Sequence, residues 1–231
     1  MAEDAFRMVL SDDPVAAAVD VLASALTAAD GAHGSARLAI PGGSVPAALP
    51  PLRAALGDVW KRARLTWVDE RCVPFEHDDS NRGSAYRSGA LSAESPPSYE
   101  LPLYLDGEAP DDAVARAGVA FAERFGSRLD VALLGMGEDG HVASLFHGVA
   151  IEGTDAAGMV GWVSRSPKPP PVRVTLTRVA IETAPVKVLL VTGPSKRDAL
   201  RRLMSGDVTV SARGLGGLVV VTDQRVDPAA T

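Results

Sequence analysis

The sequence predicts an α/β fold, a mainly parallel sheet with helices on both faces. Two observations carry this. Short apolar β-type runs alternate with Ala/Leu-rich helical runs along the 231 residues, the order that builds strand–helix–strand units. Four of those strands end in polar or Gly-rich sequence, the pattern of an open α/β sheet that binds at the carboxyl ends of its strands. At this length the chain reads as one domain, 1–231, and with aromatics at 5% its core is expected to be aliphatic.

The elements follow in order. Ser11-Asp12-Asp13 offers a cap for a helix through VAAAVDVLASALTAA, where Val15, Ala18, Val21, Leu22 and Leu26 share a face; Gly31 to Gly34 is expected to break it. RLAI (37–40) is a strand running into Pro41-Gly42-Gly43-Ser44. A helix over 46–56 follows, with its proline near the first turn. LTWVD (65–69) is a strand opening onto ERCVPFEHDDSNRGSAYR, which reads as a polar loop. Residues 111–125 read as a helix and VALL (131–134) as a buried strand. VRVTLT (172–177) reads as a strand, and KVLLVTG (187–193) as a strand leading into a helix over 195–204. LVVVT (218–222) is the last strand. SPKPPP (166–171) cannot form helix or sheet and reads as a stiff extended loop, a connector in preference to the border of a pocket.

Net charge is −6 and pI about 5.2, so no basic field invites nucleic acid. The dense basic cluster, Lys196-Arg197 with Arg201-Arg202, reads as a solvated helix face. Cys72 is the only cysteine, so no intrachain disulfide forms; it reads as a small buried side chain. MAEDAFRMVLSDD carries early acids and does not read as a signal peptide. No run is expected to reach the roughly 18–20 apolar residues of a membrane helix. A cytoplasmic protein without nucleic-acid or membrane partners is the expectation, as a monomer or weak homodimer.

Gly135-Met-Gly137-Glu-Asp-Gly140 matches the dinucleotide fingerprint G-x-G-x-x-G, but its context does not. HVASLFH runs only seven residues before Gly148, too short for the helix a pyrophosphate needs. Glu138 and Asp139 would repel that pyrophosphate, and Asp155, about 20 residues on, lies in a Gly/Ala stretch. The glycines suit a tight turn beside a ligand, and Asp139 and His141, two apart, suit a histidine general base oriented by a carboxylate. PGGS lacks the Lys-Ser/Thr ending of a nucleotide loop; it is a plain turn or a set of backbone N–H groups for a phosphate. Arg71 and Lys196, each at a strand end, are exposed charges or phosphate ligands. His33 and His77 read as solvated loop residues, and His147 has no assigned role. No metal-ligand spacing occurs.

Taken together, PGGSVP, WVDERCVPFEHDDSNRGSAYR, VALLGMGEDGHVASLF, RVTLT and VTGPSKRDAL, in that order over 36–222, resemble the 6-phosphogluconolactonase family within the glucosamine-6-phosphate isomerase/deaminase superfamily. The resemblance implies a modified Rossmann-like sheet of the phosphosugar-isomerase type. It implies hydrolysis of 6-phospho-D-glucono-1,5-lactone to 6-phosphogluconate, the second step of the oxidative pentose phosphate pathway, without a cofactor or metal. His141 maps to the family's proposed general base and Asp139 to the aspartate of the same motif. Gly42, Gly43, Ser44, Arg71 and Lys196 map to phosphate binding, Asp69 to the substrate site and Arg173 to a basic position near it. Family loops often read S-G-G-S-T-P; here Pro41 and Val45 replace the two hydroxyl residues.

Two other functions suit similar folds. Amino-sugar phosphate isomerases or deaminases carry a glutamate in a G-H-I-A-F-N-E-P context, and the aligned residue here is Phe146, although Asp69, which aligns with their carbon-proton base, is present. A sugar-phosphate sensor domain would leave the Asp139/His141 pair without a purpose, and no basic helix-turn-helix pattern precedes the fold.

Overall fold

The computed structural model describes residues 6–226, so the start of the segment read against a signal peptide lies outside the described residues. Seven strands form one parallel sheet: β1 (Arg7–Leu10), β2 (Arg37–Ile40), β3 (Arg64–Trp67), β5 (Tyr99–Leu101), β6 (Val131–Gly135), β10 (Val186–Val191) and β11 (Leu218–Thr222). Their order is β1-β11-β10-β6-β2-β3-β5, and every pairing is parallel. The central strands are buried almost throughout; β11 is buried at all five positions. Edge strand β1 has exposed ends, and its four residues carry too little pattern to announce a strand.

The chain steps outward from β2 to β3 and β5, then returns to β6 on the other side of β2 and steps outward again to β10 and β11. The direction of winding reverses between β2 and β6. In an open α/β sheet such a reversal opens a crevice at the carboxyl ends of the two strands, so the loops after β2 and β6 flank it.

Four shorter strands make a second, antiparallel sheet in the order β4-β9-β8-β7: β4 (Asp69–Arg71), β7 (Gly153–Thr154), β8 (Val160–Val163) and β9 (Arg173–Leu176). The stretch 65–69 therefore splits. Trp67 ends β3, and Asp69 opens β4 in the other sheet. RVTL likewise belongs to the antiparallel sheet.

Helix α1 (Pro14–His33) begins where Asp13 Oδ1 accepts the Ala16 N–H at 2.9 Å and ends where Gly34 turns left-handed at φ 71°. Gly31 lies inside it, so of the Gly31 to Gly34 stretch expected to break the helix it is Gly34 that does; His33 is its exposed last residue. Against expectation, α1 has the length and mean hydropathy, 1.4, of a membrane-crossing segment. In the fold, one face of the helix, with Ala18, Val19, Leu22 and Leu26, is buried against the sheet and α2 (Leu49–Leu56), while only 28% of the apolar stretch is buried in all. A 3-10 turn, Val45–Ala48, leads into α2, and a second, Pro194–Lys196, leads into α7 (Arg197–Met204).

The segment read as a polar loop after Asp69 holds α4 (Asn81–Arg87), with Glu70, Ser80 and Asn81 buried. Its polar residues satisfy one another. Glu70 accepts the N–H groups of Arg71, Asn81 and Arg82, and Ser80 Oγ accepts that of Gly83. The short α3 (Asp58–Arg62) precedes this segment in the chain, and α5 (Pro110–Phe125) and α6 (Arg178–Glu182) lie between it and α7. Buried side chains from both sheets and the helices join in one hydrophobic cluster. Cys72 is half-buried at its margin, and burial, with Glu70 nearby, pushes its thiol up to about 12, far from a nucleophilic thiolate.

Candidate active site

A cavity of about 370 Å³ opens at the carboxyl ends of β10, β6 and β2 and against β4. Pro41 to Val45 come from the loop after β2, and Asp69 and Arg71 from β4. Met136, Gly137 and His141 follow β6, Lys168 and Pro169 belong to the proline-rich loop, Arg173 starts β9, and Lys196 follows β10. Of the nine residues expected at a site, all but Asp139 line this cavity, and Asp139 is bonded to a residue that does.

The pair on its wall is tight. His141 Nδ1 lies 2.6 Å from Asp139 Oδ1. A carboxylate there fixes the tautomer with Nδ1 protonated and leaves the lone pair on Nε2. Gly137 is required because the pair rests on its Cα: a Cβ would stand 2.2 Å from His141 Nδ1 and 2.4 Å from Asp139 Oδ1. The fingerprint-like glycine thus makes room for a side-chain pair.

Burial lowers the His141 imidazole from its ordinary value, while Asp139 and, more weakly, Asp69 oppose that and Lys168 adds to it. The ring is therefore neutral below the ordinary imidazole range. Part of that burial is Phe146, whose ring centroid lies 4.3 Å from the imidazole. For Asp139, burial works to raise the carboxyl, but the His141 bond and the Lys168 charge outweigh it and hold the group below the usual carboxylate range.

Asp69 and Arg173 are both nearly inaccessible. Asp69 Oδ2 accepts Ser144 Oγ–H at 2.7 Å, Oδ1 accepts Asn81 Nδ2–H at 3.2 Å, and Arg173 Nη1 stands 3.6 Å away. Ala143, at φ 51°, holds a left-handed conformation that disfavours residues with a Cβ, two residues after His141 and beside Ser144. The guanidinium of Arg173 is largely committed elsewhere. Nε donates to Pro170 O at 3.0 Å, and Nη2 donates to Lys168 O at 2.9 Å and Pro169 O at 3.3 Å. Arg173 stands at the cavity, as the resemblance implied, but as the anchor of a loop.

That loop is more than the connector expected from its prolines, since it brings Lys168 to the cavity with Nζ 3.5 Å from Asp139 Oδ1. Arg71 lines the cavity with Nη1 bound to Asp79 O at 2.7 Å, and its Nε is buried without a partner. Lys196 is half-buried and lines the cavity; no side-chain partner faces it among the described residues. Gly42 admits no Cβ, which would fall 1.7 Å from Asn81 Oδ1; Gly43 is left-handed at φ 72°, and Ser44 is exposed.

The basic cluster is not wholly a solvated face. Arg202 reaches behind the β6 loop, donating to Glu138 O and Thr209 Oγ1. Lys168, Asn81 and Ser144 were not anticipated. Lys168 was missed because the connector reading of its loop was preferred over the pocket border that the structure shows, and Asn81 and Ser144 were hidden by the buried polar packing around Asp69. His77 and His147 are exposed outside the cavity.

Residues 11–215 match the family model described as glucosamine-6-phosphate isomerases/6-phosphogluconolactonase. The chain belongs to this isomerase/lactonase family. A 6-phosphogluconolactonase of Mycobacterium tuberculosis is 36% identical over 221 residues, covering 90% of this chain and 88% of the relative. One from Caulobacter vibrioides is 37% identical over 204 residues, with 85% and 84% coverage. Among solved structures, a 6-phosphogluconolactonase of Shewanella baltica superposes with a TM-score of 0.76 at 24% identity, covering 96% and 97% of the two chains. A monomeric glucosamine-6-phosphate deaminase superposes with 0.74 at 17% identity, covering 95% and 98%. Family members of both activities thus share the architecture, so choosing between them falls to the side chains in the cavity.

Proposed function

We propose that this protein hydrolyses 6-phospho-D-glucono-1,5-lactone to 6-phosphogluconate, the second step of the oxidative pentose phosphate pathway, with His141 as general base. The observation that carries the reading is the Asp139–His141 pair on the cavity wall, with Phe146 packed against the imidazole. Asp139 holds Nδ1–H, so Nε2 accepts a proton from the attacking water. The lactone is an activated ester, and a base worth about 10²–10⁴-fold meets its need. Phe146 supplies no carboxyl group for the ring opening that an amino-sugar deaminase performs. Arg71, Lys196 and the Gly42-Gly43-Ser44 backbone bind the phosphate, which orients the ring without joining the chemistry. The close curated relatives named as lactonases support the same reading.

The test generates the lactone in situ from glucose 6-phosphate with its dehydrogenase and couples 6-phosphogluconate formation to the next dehydrogenase. Wild type should exceed spontaneous hydrolysis, and His141→Ala should lower kcat about 10²–10⁴-fold with an unchanged circular dichroism spectrum. Wild-type-like turnover by the variant removes the base assignment. Ammonia release from glucosamine 6-phosphate faster than lactone turnover would replace the whole reading.

A further inference from the structure

The loop Ser166–Pro171 is held more firmly than a connector needs. Ser166 N–H donates to Pro171 O at 3.0 Å, Ser166 Oγ–H donates to Lys168 O at 2.7 Å, and the buried Arg173 guanidinium binds the carbonyls of Lys168, Pro169 and Pro170. Fixing three successive carbonyls fixes the Cα of Lys168 and so limits where its side chain can reach. That side chain lines the cavity and stands beside the Asp139–His141 pair. The other cations there are placed differently: Arg71 is tied to Asp79 O, Lys196 stands beyond β10, and Arg173 is spent on the loop. Lys168 is the cavity cation ion-paired to the catalytic unit, and at 43% side-chain exposure its ammonium, with three N–H donors, is not enclosed by that one contact.

We propose that Lys168 is a catalytic residue at the reacting end of the cavity, meeting the oxygen on which charge develops as water adds and the carboxylate that results. The inference rests on the lactonase reading. In the step, the water oxygen bonds to C1 as its proton passes to His141 Nε2. The C1=O electron pair moves onto the exocyclic oxygen, facing the Lys168 ammonium. Collapse restores C1=O, breaks the bond from C1 to the ring oxygen, and returns the proton from imidazolium to that oxygen. The new acid loses its proton to solvent, and its carboxylate stays opposite Lys168. Preorganised charge at a developing oxyanion is commonly the largest single contribution to such a reaction.

The charged groups facing His141 are Asp139, Asp69 and Lys168, with the Arg173 guanidinium carbon 5.5 Å from the ring centroid of Phe146, which packs on the imidazole. Removing Lys168 leaves the acids and lets the imidazole protonate more readily, so the acid limb of the rate profile moves to higher pH. The experiment compares wild type with Lys168→Met and Lys168→Arg in the lactone assay and titrates each with 6-phosphogluconate and with inorganic phosphate. In Lys168→Met, kcat is expected to fall about 10²-fold, with KM within about threefold and the acid limb raised. Its Kd for 6-phosphogluconate should rise about tenfold or more, since charge-assisted hydrogen bonds to the carboxylate are lost, while its Kd for phosphate stays unchanged. Lys168→Arg, which keeps the charge, should recover product binding. An active wild type with an unaffected Lys168→Met overturns this inference alone. Equal weakening of both ligands overturns it too, moving Lys168 to the phosphate end. A wild type that does not accelerate hydrolysis overturns the lactonase reading beneath it.

Discussion

Two carboxylate–cation pairs meet at one cavity at nearly the same separation, Asp69–Arg173 at 3.6 Å and Asp139–Lys168 at 3.5 Å. Distance does not tell them apart; unused hydrogen-bonding capacity does. In the first, both side chains are under a tenth exposed, and the remaining N–H groups of Arg173 go mostly to loop carbonyls. In the second, both side chains are about two-fifths exposed, and Asp139 also holds the His141 ring. A buried pair with its valences filled acts as scaffold. A half-open pair that touches a titratable group keeps hydrogen-bonding capacity for a ligand, which is the role proposed for it above.

The comparison breaks first at the buried pair. Removing one partner leaves an uncompensated buried charge, a loss of about 3–5 kcal/mol. Arg173→Met also frees three carbonyls of the proline-rich loop. Thermal unfolding should therefore fall by on the order of 10 °C, whereas Lys168→Met should move it by no more than about 2–4 °C, since exposed pairs contribute about 0–1 kcal/mol. Equal shifts in the two variants would erase the distinction between scaffold and chemistry.

The open pair is sharpened by Asp139→Asn. The amide keeps the shape but removes the charge that selects the Nδ1–H tautomer, so kcat should drop on the order of 10³-fold or more, with the melting temperature nearly unchanged. The pH profile gives an independent reading. If His141 is the neutral base proposed above, the rate falls as pH drops through its pKa, which burial lowers from the ordinary imidazole value. Asp139 favours the imidazolium, so removing its charge moves the acid limb lower still. The opposite shift, toward higher pH, is the one Lys168→Met produces. If Asp139→Asn and Lys168→Met move the limb in the same direction, Asp139 and Lys168 do not act on His141 as opposite charges.

The same contrast explains what was legible in the sequence. Long-range order was readable because the central strands are apolar and the strand-end loops carry Gly, Asp, His and Lys; the loops after β2, β6 and β10 meet where those signals placed them. The second sheet was not legible, because β7 and β8 hold only a few residues and β4 continues from β3 after one residue, Val68. Helix α4 was hidden because its stability comes from Glu70 and Ser80 accepting its first N–H groups, a long-range arrangement that looks like polar loop in one dimension. Proline composition excluded helix and strand at 166–171, and the segment holds neither, but that does not say what it presents. That depended on Arg173 reaching its carbonyls from β9.

The smallest expected effect concerns the loop after β2, where Val45 stands in place of a hydroxyl residue. Val45 Cγ2 packs over the end of β6, so close that a Cβ on Gly135 would stand 3.0 Å from it. This methyl closes the cavity wall beside the loop that presents Gly42 and Gly43. Val45→Thr exchanges one methyl for a hydroxyl at nearly constant volume. If the phosphate rests on backbone N–H groups, Arg71 and Lys196, the added donor is redundant. KM should then change less than about threefold and kcat less than about twofold, under about 0.7 kcal/mol in binding. A tenfold fall in KM would be about 1.4 kcal/mol, the size of a new hydrogen bond to a charged group. That result would mean the loop backbone and the two cations leave a phosphate oxygen unmet, and that the hydroxyl restores the missing contact.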